Sequence, residues 1–82
     1  MPYIEQKRRD AIAAGSQPRS SGELNYRFTQ VAFDYLAELG TSYTKMNDII
    51  GALEACKLEF YRRVVVPYEE CKRATNGDVY EP

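Results

Sequence analysis

The stretch NDIIGALEACKLEFYRRVVVPY, Asn47 to Tyr68, decides how this chain is read. Ile49, Ile50, Leu53, Cys56, Phe60 and Val64 recur every three or four residues, the period of an amphipathic helix. A second row on the flank of the first, Glu54, Leu58, Tyr61, Val65 and Tyr68, keeps the same period. A stripe wide enough to hold both rows needs neighbours on two sides. The chain has 82 residues and one other long helical pattern, so part of this surface is expected to meet another copy of the chain.

That pattern runs from Ser21 to Leu39, with Leu24, Phe28, Val31 and Tyr35 as its stripe. Ser20-Ser21-Gly22-Glu23 matches a capping box, in which the serine oxygen and the glutamate satisfy free amides at the helix start. Gly40 is placed to end the helix with a positive φ, which an L side chain resists. Thr41 to Thr44 then form a short turn with several candidate N-caps. The second helix is expected over 45–75, with Pro67 removing one intrahelical bond and either kinking it or beginning a new segment. A short connection between two long helices predicts an antiparallel hairpin. Asn76-Gly77 is the stop, with Asp78 to Pro82 as a tail.

Residues 1–19 read as an arm. Ile4, Arg8 and Ile12 share one face of a short helix over Glu5 to Ala13, ended by Gly15. Gln17-Pro18 is the linker, since the residue before proline avoids helical geometry. The whole, 1–82, is expected to be a single all-α domain. Chains of about 80 residues rarely draw more than roughly 3–5 kcal/mol from one core and often need disulfides, metal or oligomerisation. Cys56 and Cys71, the only cysteines, would lie about 22 Å apart on one continuous helix, beyond the roughly 7 Å reach of a bridge. Both are expected as free thiols, Cys56 buried and Cys71 nearer the surface. With no histidine and no close cysteine pair, no metal site is expected. Assembly as a helical dimer or tetramer is the remaining route.

No apolar run of about 20 residues is present, so no membrane span is expected, and MPYIEQKRRD does not read as a secretory signal. Two unpaired cysteines fit a reducing, cytoplasmic setting. Eleven Lys and Arg against twelve Asp and Glu give a net charge of −1, which argues against general duplex binding and makes nucleic acid the weakest of the partner classes. The absence of histidine, of a nucleophile elbow and of a phosphate-binding glycine loop reads as a protein without catalytic residues and without a cofactor.

The residues suited to a ligand are Lys57, Tyr61, Arg62 and Arg63, because arginine forks hold phosphate and a tyrosine ring stacks on a base. The bland reading makes them a solvated face supported by the i,i+4 pair of Glu59 and Arg63; in the functional reading Arg63 keeps that pair and Arg62, about 100° away on the helix, is the ligand contact. Asn25, Tyr26 and Asn47 lie near expected helix starts, and Asn47 has the alternative role of a local cap. Arg8 or Arg9 on the arm is expected to close over a pocket at the junction between subunits.

The start PYI, GELNY at Gly22 to Tyr26, GALEACKLEFYRRVVVPYEE at Gly51 to Glu70 and NGDVY at Asn76 to Tyr80 together resemble a small family of phages and bacteria catalogued as a domain of unknown function. The resemblance covers nearly the whole chain. It implies phage origin and marks Gly22 to Tyr26, Asn47, Lys57 and Glu59 to Arg63 as signature positions, and it carries no established activity. By analogy of class, small phage helical oligomers include sponges for the nucleotide messengers of bacterial immunity. The expected function is therefore sequestration, in the host cytoplasm, of a cyclic nucleotide or ADP-ribose derivative. The alternative is a protein-interaction module that binds a host or phage protein.

Overall fold

The computed structural model describes residues 2–80, so Glu81 and Pro82 of the expected tail lie outside it. The described residues are helical, with no strand among them: α1 Gln6–Ala13, α2 Ser21–Leu39, α3 Tyr43–Phe60, a π-helical turn Tyr61–Val65, and α4 Val66–Asn76. They group into two compact units, residues 1–49 and 50–82.

In the first unit α1 packs on α2. Of the face expected for α1, Ile12 is buried, 1% exposed, and Ile4 and Arg8 are half-buried. The arm is held electrostatically as well. Arg8 donates from Nε and from a terminal nitrogen to the two oxygens of Glu23, at 3.0 and 2.8 Å. The side chains are 20% and 12% exposed, which shields this forked pair from water. Glu23 also belongs to the helix cap. Its N–H donates to Ser20 Oγ at 3.1 Å, and its Oε1 accepts from the Arg19 N–H at 3.0 Å. The expected box is thus present with one change, since the carboxylate takes the amide next to Ser20. The hydrogen bond from Arg8 pulls the Glu23 carboxyl below its ordinary range, burial opposes the shift, and the Arg19 N–H reinforces it.

The α2 face turned toward the arm differs from the expected one. Gly22, Glu23, Tyr26, Thr29 and Gln30 are half-buried, whereas Leu24, Phe28 and Val31 stay 45%, 51% and 55% exposed. The polar face wins because it carries the Glu23 partner that Arg8 requires. Tyr35, the remaining member of that stripe, is half-buried and donates its hydroxyl to Asp48 Oδ2 at 3.0 Å. This raises the Tyr35 pKa and ties α2 to the first turns of α3. Gly40 ends α2 at φ 88° and Gly77 ends α4 at φ 90°. Ser42 accepts from the Lys45 N–H at 3.2 Å and caps α3, which therefore starts two residues before the expected Lys45.

In the second unit a π turn precedes Pro67, and a new helical segment begins there, the second of the two outcomes expected for this proline. The Val66 N–H reaches back to the Tyr61 carbonyl, one residue farther than in an α-helix. Pro67 then falls in the first turn of α4, where its missing N–H is tolerated. Cys56 and Cys71 are both free, and both are exposed. The expected burial of Cys56 is corrected: no segment of the described chain covers that side of α3.

The Arg8–Glu23 clasp gives a pH signature. The depressed Glu23 pKa makes its contribution complete above the unfolded carboxylate value of about 4.3 and removes it as pH falls through the folded value. Amide exchange across Gln6–Ala13 is expected to be slow at pH 7 and to accelerate, relative to its intrinsic rate, below about pH 4. Glu23→Gln should abolish that difference. Equal protection at both pH values would contradict the clasp.

Candidate functional site

The first unit holds a recess of about 330 Å³ between the arm and α2. Its walls are Pro2, Tyr3 and Ile4 from the N-terminal strap, Arg9 from α1, and Tyr26 and Thr29 from α2. The clasp sets this geometry: Arg8 and Arg9 are neighbours on α1, so fixing Arg8 on Glu23 carries Arg9 over the next turn of α2. Tyr26 and Thr29 share that turn at i,i+3 spacing.

The two arginines end in opposite conditions. Arg8 is fully engaged as an ion pair, and its role is to position the arm. Arg9 Nε is buried and has no hydrogen-bond partner among the described residues. A buried donor left unpaired costs on the order of 1–3 kcal/mol, so such a group is normally met by an oxygen from water or a ligand. Arg9 forms no ion pair with a carboxylate among the described residues, which leaves its planar fork free for an anion. Two phenol rings and an isoleucine line the same recess, a composition that suits a flat, partly apolar ligand with a negative group. Asn25, the sequence neighbour of Tyr26, is exposed and does not line the recess; its Oδ1 accepts from Thr29 Oγ1 at 3.5 Å and its carbonyl accepts from the same hydroxyl at 2.9 Å. Asn47 is exposed in the second turn of α3; Ser42 holds the capping role considered for it.

Lys57, Tyr61, Arg62 and Arg63 belong to the second unit and are all exposed. Lys57 pairs with Glu54 at 3.2 Å. The expected pair of Arg63 with Glu59 is present, and Arg62 joins it. Arg62 holds Glu59 at 2.6 Å and Arg63 reaches the same carboxylate at 3.5 Å, because i,i+3 and i,i+4 partners both lie beside it. The three cations of this cluster are therefore already engaged by acidic neighbours.

Tyr3 and Thr29 were not singled out in the sequence. Thr29 stands one helical turn after Tyr26, a spacing visible in GELNYRFT, whereas nothing local in PYI says what Tyr3 faces. Among the described residues no cluster of three or more metal-ligating side chains occurs, and no helix is long and apolar enough to cross a membrane.

Comparison with known proteins agrees with the motifs. The chain matches, over residues 1–79, a family model described as Domain of unknown function (DUF6899), and it belongs to that family. No curated protein and no solved structure matches it.

The exposure of the second-unit arginines sets an upper bound on their structural weight. Arg62→Ala and Arg63→Ala, about 70% exposed in their Glu59 pairs, are each expected to change thermal stability by no more than about 0.5 kcal/mol. A loss of several kcal/mol in a melt would show that they hold the fold together.

Proposed function

We propose that this chain is a non-catalytic phage protein that binds and sequesters a small phosphate-bearing nucleotide, a cyclic nucleotide or ADP-ribose derivative used as an immune messenger in the host cytoplasm. In this reading the two long helices form an antiparallel hairpin and the chain works as a homo-oligomer, a dimer or tetramer. The observation that carries the reading is the buried Arg9 Nε, which has no hydrogen-bond partner among the described residues, in a tyrosine-lined recess. Arg9 takes the phosphate through paired N–H donors, Tyr26 or Tyr3 stacks on the base, and Asn25 reads a polar edge. Arg8 supports the site indirectly, as the residue that positions Arg9. The volume, about 330 Å³, is at the lower end of the range for small-molecule sites, which favours one nucleotide over a longer chain. Lys57, Arg62 and Arg63 contribute a second cationic surface, one that must give up its glutamate partners before it binds phosphate.

A second reading, a module that binds a host or phage protein, is favoured by the exposed stripe Leu24, Phe28 and Val31. Nucleotide released on denaturing the purified protein, seen by absorbance at about 260 nm and by mass spectrometry, supports the sponge. A host protein recovered at equal stoichiometry with no nucleotide supports the module.

Calorimetry against a panel of cyclic mono-, di- and trinucleotides and ADP-ribose variants tests the leading reading. At least one should bind, with Arg9→Ala weakening it tenfold or more and Arg9→Lys retaining only part of the affinity, because lysine lacks the planar fork and the Nε donor. Absence of heat across the panel, or full affinity in Arg9→Ala, would overturn it.

A further inference from the structure

The second unit carries a face that no described part of the chain covers. Ile50, Leu53, Leu58, Tyr61, Val64 and Tyr68 are between 43% and 66% exposed. At these exposures the six side chains leave roughly 700 Å² in water, close to the about 800 Å² per partner of a stable protein interface.

Charges on this face are ordered. Glu54, Lys57, Tyr61, Val65, Glu69 and Lys72 follow one another in steps of three or four, the spacing of side chains on one face of a helix. Each four-residue step in an α-helix drifts by about 40°, and the π turn Tyr61–Val65, with its wider winding, offsets that drift in the middle of the row. About the level of Arg63 the row is antisymmetric. Glu54 stands nine residues before and Lys72 nine after; Lys57 six before and Glu69 six after; Tyr61 two before and Val65 two after.

From this pattern we propose that the second unit pairs antiparallel with a second copy of this chain, about a two-fold axis at the level of Arg63. The proposal rests on the reading of the chain as an oligomer and not on the nucleotide site. In such a pair Tyr61 meets the other copy's valine at 65, each Lys57 meets a glutamate at 69, and each Glu54 meets a lysine at 72. A two-fold interface repeats each contact, so these matches give four ion pairs around a Tyr–Val centre. In the single chain Lys57 and Glu54 pair with each other at 3.2 Å, a bond the two-fold pair exchanges for the cross-chain ones, whereas Glu69 and Lys72 have no ion-pair partner among the described residues; Lys72 lies over the Tyr68 ring at 5.6 Å. Tyr61, Glu69 and Lys72 also line one recess, open to an incoming side chain. Apolar burial supplies the affinity, while the charges select the orientation: a parallel in-register pair would set Glu69 against Glu69 and Lys57 against Lys57. A partner of unrelated sequence has no reason to match this row, whereas a second copy matches it by symmetry.

Charge reversal in the full chain tests the pairing, with mass read by sedimentation equilibrium or light scattering and helicity by circular dichroism. The wild type should sediment as a multiple of 9.4 kDa at micromolar concentration. Lys57→Glu alone and Glu69→Lys alone should each weaken association at least tenfold, while the double reversal restores it, since both exchanged partners then meet again across the two-fold. Glu54→Lys with Lys72→Glu should behave in the same way. A monomeric wild type, or an oligomer indifferent to the single reversals, or a double reversal no tighter than the singles, would overturn the proposal. Calorimetry on Arg9 reads the nucleotide site separately, so failure of one is distinguishable from failure of the other.

Discussion

Everything distinctive about the first unit follows from Glu23 serving two helices at once. Its amide completes the Ser20 cap of α2, and its carboxylate receives the fork of Arg8 from α1 and the N–H of Arg19 from the linker. One side chain thereby fixes where a helix starts and where an eight-residue helix docks. So short a helix is marginal alone in water and persists because tertiary contacts hold it. Ile12 adds the fully buried apolar contact and the clasp adds direction, deciding which face of α2 the arm covers.

The candidate site is a by-product of that arrangement. With Arg8 spent on Glu23, the adjacent Arg9 is carried against α2 with no carboxylate among the described residues to meet it, and the strap from Pro2 to Ile4 lines the recess on one side. Stability and binding are divided between two successive arginines. The second unit divides its chemistry differently. There every cation of the Lys57 to Arg63 cluster finds a glutamate one turn away, while large apolar groups stay in water. A helix of this kind gains its stability from what packs on it more than from intrinsic propensity.

The π turn shows how a local rule and a global one are reconciled. A proline in a long helix normally removes a bond and bends the axis. Here the chain winds one residue wider over Tyr61–Val65 and lets Pro67 enter as part of a first turn. The helical path continues to Asn76.

The sequence by itself determined the helical class, the span of α2, the caps at Ser20, Gly40 and Gly77, and the Ile4–Arg8–Ile12 face of the arm. These depend on groups within a few residues of one another, where backbone geometry and 3.6-residue periodicity act directly. Arg9 and Tyr26 were recognisable as chemistry-bearing residues, but not as neighbours. Only the tertiary structure decided that Arg8 is spent on Glu23 while Arg9 Nε finds no partner among the described residues, that Tyr3 and Thr29 join the site, and that Cys56 is exposed. The physical reason is common to most of them. Adjacent residues on a helix differ by about 100° in direction, and which direction meets a partner depends on a second element whose docking is set by residues far away in the chain.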